Sequence, residues 1–239
     1  MMTPMADPVR VAFLAPMQSE LRPLVKKLSL ERYDEEDAVV YAGSAGDVAV
    51  VATLTGIGMG PAAEAAERIL QSERVDHLIV AGIAGGVAPH SEVGDLIVPE
   101  VVVNGHTGTE HRPAPLGDVT PQGRLVSSDD FTSAAEDVAR ASSDGVTAMD
   151  METAAVAAVC EERKCPWSVF RAISDMAGDT DEAVLALANP DGSPNLAAAA
   201  RYLIPRPWKI PKLTRLARDA QAAADAAADA AIEASRQLS

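Results

Sequence analysis

The chain has 239 residues, 48% of them hydrophobic and 3% aromatic, with 20 Lys and Arg against 35 Asp and Glu for a formal charge of −15 at pH 7. That length suits one α/β domain with an ample core. The acidic balance opposes the phosphate neutralisation on which binding to nucleic acid or an anionic membrane rests, so neither is expected as a partner and a small molecule is.

The opening residues lack a basic then apolar leader, and no run reaches the roughly 18 apolar residues of a membrane helix, so a cytoplasmic protein is expected. The first strand is predicted over Val9 to Ala15, apolar throughout as in a strand buried on both faces. A helix follows, with Ser19 as its N-cap and Leu21, Leu24, Val25 and Leu28 on one face. Glu20 reads two ways, as a first-turn acid favoured by the helix dipole or as a functional carboxylate. Glu31 to Asp37 is expected to be a solvated, charged turn. Strands over Val39 to Gly43 and Val48 to Leu54 then flank a Gly46-Asp47 hairpin turn.

The second of these runs into Thr55-Gly56-Ile57-Gly58-Met59-Gly60-Pro61 and a helix over 62–71, with Pro61 at its first position. Strand, glycine-rich turn and helix together point to an anion or nucleotide cradle, although tight packing calls for the same glycines. A strand over His77 to Ala81 is predicted to end in a second glycine turn, Gly82 to Val87, and Gly94-Asp95 opens another strand through Val103. Two such turns side by side let backbone approach a flat or phosphorylated ligand from two sides, whereas a dinucleotide-binding domain usually shows one.

Residues 104–123 read as a long loop. His106, Glu110 and His111 within it lack the spacing of metal ligands. Arg124 to Val126 resumes the sheet, and Phe131 is either ordinary core or a ring for stacking on a base. Residues 144–179 read as a parallel βαβ unit that leaves Glu152 and Asp175 at the carboxyl ends of two strands, where open α/β sheets place ligands. Its two cysteines, Cys160 and Cys165, fit neither a CxxC pair nor a zinc site, and read as buried small hydrophobes in a reducing compartment. A polar connection over 181–194 leads to a short helix, Leu196 to Leu203, then a rigid basic prolyl segment, and an Ala-rich helix over 213–238 suited to close packing on the sheet or a partner.

GIAGGV at Gly82 to Val87 with VGDLIVPE after it, DMETAAVAAVC at Asp150 to Cys160, and FRAISDMAGD at Phe170 to Asp179 resemble the nucleoside phosphorylase superfamily, and within it the 5′-methylthioadenosine/S-adenosylhomocysteine nucleosidases. The resemblance implies an α/β fold, a three-layer αβα sandwich around a mixed, largely parallel twisted sheet. It implies one domain over 1–239, in which 181–239 is a divergent C-terminal extension.

The activity implied is release of the base from a purine nucleoside, without metal or cofactor. Glu20 matches the acid that activates water, Asp175 the acid that protonates or hydrogen-bonds the purine N7, and Arg171 the arginine that positions water and carboxylates. Glu152 matches the carboxylate that grips the ribose hydroxyls, Met151 a residue against the sugar, and Phe131 a ring that stacks on the base. Met17, Ile57, Ala84, Gly85 and Ser174 fall on segments that line the substrate. Phosphorolytic members hold phosphate with an arginine and a Ser or Thr where this chain has Val80 and Ile83, which favours water as the acceptor. A phosphorylase, a futalosine-type hydrolase and a non-catalytic nucleoside-binding protein stand as alternatives. A homodimer is expected by the same likeness.

Overall fold

The computed structural model describes residues 7–35, 38–130, 135–176 and 195–238. In chain order these form β1 (Arg10–Ala15), α1 (Gln18–Lys27), β2 (Glu31–Glu35), β3 (Ala38–Ala45), β4 (Val48–Leu54), α2 (Met59–Ser72), β5 (His77–Gly86), β6 (Leu96–Ile97), β7 (Val101–Asn104), β8 (Glu110–His111) and β9 (Arg124–Ser127). There follow α3 (Ala135–Ser143), β10 (Val146–Asp150), α4 (Thr153–Arg163), β11 (Trp167–Met176), α5 (Leu196–Leu203), a 3-10 turn at Pro207–Lys209 and the long α6 (Ile210–Ser235).

The strands make one mixed 11-stranded sheet in the order β2-β3-β4-β1-β5-β10-β9-β7-β8, with β11 between β5 and β6. β1, β4, β5 and β11 run parallel, and β2, β3 and β4 form an antiparallel meander at one edge. Helices cover both faces, giving the expected three layers. Alternation along β1 divides the core: Ala12 and Leu14 pack with Ala62, Ala66 and Ile69 of α2 and Ala154 and Ala157 of α4, while Val11, Phe13 and Ala15 pack with Leu21 and Leu24 of α1 and Ala228 and Ile232 of α6. Both faces being buried explains why the central strands read as continuous apolar runs. Small residues let α6 lie close on β11, where Ala223 and Ala227 meet Ala172. Cys160 and Cys165 are free and buried.

The strand expected from Gly94-Asp95 through Val103 is two short ones, β6 and β7, and four further expectations change. Glu31–Glu35 is an edge strand, not a turn; it pairs antiparallel with β3, and Tyr33 packs against the core. The glycines of 82–86 do not turn: β5 continues through them because β11 supplies partners along the whole stretch and β10 at its end. The 104–123 loop contains the short strand β8, paired with β7. The βαβ unit is not parallel. β10 runs antiparallel to β5 and β11 runs parallel to it, so β10 and β11 point opposite ways. That reversal carries the end of β10 back along β5 toward its middle, and it is what positions the site.

Candidate active site

Arg171, in register with Gly82 of β5, is wholly buried and organises the centre of the molecule. Its Nη2 donates to Asp150 Oδ2 at 2.6 Å, Thr153 Oγ1 at 3.1 Å and Glu152 Oε2 at 3.3 Å. Its Nη1 lies 3.5 Å from Glu20 Oε1, an ionic contact without hydrogen-bond geometry, and neither Nη1 nor Nε has a hydrogen-bond partner among the described residues. A guanidinium has five donors, and only those of Nη2 are hydrogen-bonded to the described residues.

Glu20 is the third residue of α1, whose N-cap is Met17; Ser19, expected in that position, lies exposed in the first turn because the helix starts earlier. The carboxylate reaches back across the helix start. Oε2 accepts the Met17 N–H at 2.9 Å, as the third residue of a capping box does, and Oε1 accepts the Ile83 N–H of β5 at 2.7 Å. Gly82 makes this approach possible: a Cβ there would stand 2.2 Å from Glu20 Oε1 and 2.6 Å from Arg171 Nη1.

Glu152 arrives from the other side, between β10 and α4. Its Oε1 accepts the Gly58 N–H at 3.1 Å. Gly58 precedes α2 with φ of 103°, a conformation that L side chains avoid, which accounts for a glycine at this point of the turn. The anion that this glycine-rich turn cradles is the chain's own carboxylate.

Asp150 completes the cluster. Oδ1 accepts the Ser127 hydroxyl at 2.5 Å, Oδ2 accepts Arg171, and the Thr153 hydroxyl also donates to it; Ser127 Oγ in turn accepts the Ala154 N–H at the start of α4. Three carboxylates therefore surround one guanidinium. Burial, opposed chiefly by Arg171, raises Glu20 from the ordinary 4.5 to about 7. Burial, again opposed by Arg171 and assisted by the neighbouring acids, raises Glu152 to about 8. Both carboxyls thus exchange protons near neutrality, the range in which general acid–base chemistry is most effective.

The carboxylates around Arg171 are Glu20, Glu152 and Asp150. Asp175 lies four residues further along β11, half-buried, beyond a register shift at Ile173 and opposite Gly85. The Ser174 hydroxyl is 2.5 Å from its Oδ1 and 3.4 Å from the Ala84 carbonyl. Gly85 is flanked by Asp175 on one side and Met149 of β10 on the other, so the end of β5 links the two strands. Met17, Ile57 and Met151 are half-buried; Met17 donates its N–H to Glu20, and Ile57 and Met151 adjoin Gly58 and Glu152 in sequence. Phe131 lies outside the described residues. Asp150, Ser127 and Thr153 were missed as site residues, and the available signal was an acid two positions before Glu152 at a strand end.

His106, Glu110 and His111 do not converge. His111 Nδ1 bonds Glu161 at 2.8 Å, Glu110 accepts Arg124 at 2.6 Å, and His106 Nε2 accepts the Asp129 N–H at 3.4 Å. Among the described residues no group of His, Cys, Asp and Glu suits a metal ion.

A mixed sheet between helix layers, with buried carboxylates gathered on one arginine where strands of opposite direction meet, defines an α/β protein with a polar centre. The phosphorylase superfamily model matches residues 10–118 and 114–204, and the chain belongs to that superfamily. It is 33% identical over 171 residues to the 5′-methylthioadenosine/S-adenosylhomocysteine nucleosidase of Actinobacillus succinogenes, covering 59% of this chain and 74% of that protein. In structure it resembles the nucleosidase of the same description from Colwellia psychrerythraea, solved in complex with adenine, with a TM-score of 0.74 at 22% identity over 97% of this chain and 96% of the other. It also resembles the futalosine hydrolase of Helicobacter pylori, with a TM-score of 0.69 at 16% identity over 92% and 94%.

Proposed function

We propose that the chain hydrolyses the N-glycosidic bond of a purine nucleoside of the 5′-methylthioadenosine/S-adenosylhomocysteine kind, releasing the free base and the sugar. The observation that carries this reading is the state of Glu20: a carboxyl fixed by two backbone N–H groups, in ionic contact with Arg171, and titrating near pH 7. Such a group is a general base held ready at neutral pH. Likeness to named nucleosidases supplies the substrate class.

In this mechanism Glu20 takes a proton from the attacking water, and the vacant donors of Arg171 hold that water or the oxygen it adds at C1′. Glu152 exchanges hydrogen bonds with the ribose hydroxyls. Asp175, oriented by Ser174, gives a proton or hydrogen bond to N7 as the base departs. The Ala84–Gly85 backbone, Met17, Ile57 and Met151 line the substrate. Asp150 holds Arg171.

Water is preferred to phosphate on electrostatic grounds. Three carboxyl groups share one guanidinium, so an entering phosphate dianion finds no uncompensated positive charge there. The Ile83 N–H, at the position where phosphorolytic relatives carry a Ser or Thr, is already taken by Glu20. Val80, in place of their arginine, is buried in the sheet. The homodimer and the cytoplasmic setting belong to the same proposal.

The test is chromatographic assay of free base from methylthioadenosine, adenosylhomocysteine, adenosine, inosine and futalosine, each with and without phosphate. Adenine release from the two thioethers without phosphate is expected. Release that requires phosphate overturns hydrolysis, and preference for futalosine overturns the substrate class.

A further inference from the structure

The total charge of −15 hides an uneven distribution. Residues 201–218 hold Arg201, Arg206, Lys209, Lys212, Arg215 and Arg218 and no acid, leaving 14 basic residues against all 35 acids in the remainder. Three of the five large hydrophobic side chains that are exposed among the described residues fall inside this same stretch: Ile204 at 78%, Trp208 at 71% and Ile210 at 47%.

The geometry makes this a projecting element. α6 runs for 26 residues, yet none of its residues before Ala223 is buried, so about 20 Å of helix stands without a fully buried side chain. Leu213 and Leu216 are half-buried on one side of it, while Lys212, Arg215 and Arg218 are exposed. Pro205 and Pro207 ahead of the helix and Pro211 in its first turn stiffen the chain and reduce the entropy lost when it is ordered against another surface. The Arg206 guanidinium and the Lys209 ammonium sit 5.0 and 5.2 Å from the Tyr202 ring centroid, and Lys209 Nζ bonds the Tyr202 hydroxyl at 2.7 Å, which braces the loop that presents Trp208.

We propose that the 201–218 element is a docking surface for an anionic phospholipid bilayer. Clustered Lys and Arg next to outward Trp and Ile form the combination that seats on anionic headgroups with its apolar tips in the interface. An indole ring settles at that depth because one edge is apolar and the other polar. The acidic body does not cancel the attraction, because charges more than about 8 Å from the membrane are screened at physiological ionic strength. The charge asymmetry also orients the molecule, basic end toward the surface. A membrane is favoured over a flat acidic protein because the apolar residues are separate outward tips interleaved with cations, not one continuous apolar face. The expectation drawn from net charge alone is thereby reversed for this one face.

The full chain is to be titrated with vesicles of phosphatidylcholine alone and of phosphatidylcholine mixed with phosphatidylglycerol, following tryptophan emission and co-sedimentation. Trp167 is 3% exposed, so a blue shift on binding reports Trp208. Binding at least about tenfold tighter to the anionic vesicles is expected, with a blue shift, and lost in about 0.5 M salt. Trp208→Ala, and Arg206→Glu combined with Arg218→Glu, are each expected to weaken it about tenfold while leaving the melting temperature unchanged. Equal binding to neutral vesicles, or none to either, overturns the proposal. So does Trp208-dependent self-association or retention of nucleic acid in place of vesicle binding.

Discussion

Gly82→Ala places one methyl group where the structure has no room for it. The added Cβ would lie 2.2 Å from Glu20 Oε1, 3.0 Å from Glu20 Cδ and 2.6 Å from Arg171 Nη1. Ordinary contact needs about 3.5 Å, so the two groups together must retreat by roughly 1 Å. Neither retreats freely. Glu20 is tied to Met17 and Ile83, and Arg171 to Asp150, Glu152 and Thr153. The Ile83 bond, at 2.7 Å, is the one that a 1 Å shift of Oε1 breaks.

A displacement of that size costs about 100-fold in rate when the displaced group acts on the reacting atoms. Overpacking of a buried site costs about 1–3 kcal/mol of stability. Gly82→Ala is therefore expected to fold, to melt several degrees lower, and to lose about 100-fold in kcat/KM for adenine release. Gly60→Ala is the control: its Cβ would meet nothing within 4 Å. If Gly82→Ala keeps activity within about threefold of the parent, the Glu20–Arg171 pair is not the machinery of the reaction.

Asp175→Asn retains an oxygen for the Ser174 hydroxyl and removes only the proton, so a loss of about 100- to 10,000-fold in kcat is expected, smaller for nucleosides with a better leaving base; a uniform loss across leaving groups would refute the role. Activity and stability are expected to run oppositely with pH. Glu20 acts ionised, so kcat/KM should rise with pH and level off above its value of about 7. A folded-state carboxyl raised from 4.5 binds protons that the unfolded chain has released, so its contribution is fully present below about 4.5 and is lost as pH rises through about 7. For Glu20 the loss amounts to about 3 kcal/mol, and Glu152, raised to about 8, acts in the same direction. Thermal unfolding of the empty protein from pH 5 to pH 9 checks this; a melting temperature that rises over that range contradicts the buried cluster.

The central strands were legible because both faces are buried, which writes Val11 to Ala15 of β1, Val48 to Ala52 of β4 and Leu78 to Ala81 of β5 as apolar runs. β2 was not, since an edge strand such as Glu-Arg-Tyr-Asp-Glu has only Tyr33 to mark its buried side. The glycines after Ala81 carry the local propensity of a turn, and pairing with β10 and β11 overrides it. Strand direction is set by tertiary pairing rather than local sequence, so the reversal of β10 left no trace in the residues.

For the site, Glu20, Glu152 and Arg171 were found through the likeness of their segments, and the structure brings all three together. The place of Asp150 beside Arg171 follows from that same reversal of β10. The role of Gly82 as space for a carboxylate follows from the meeting of α1, β5 and β11, three elements far apart in sequence.

The central claim is that Glu20 is the base of a hydrolysis. Its most direct test is adenine release from methylthioadenosine in phosphate-free buffer by the parent and by Glu20→Gln, with folding of both followed by circular dichroism. Steady release by the parent and a loss of at least about 100-fold in a folded Glu20→Gln are predicted. Release by Glu20→Gln at the parental rate would contradict the account.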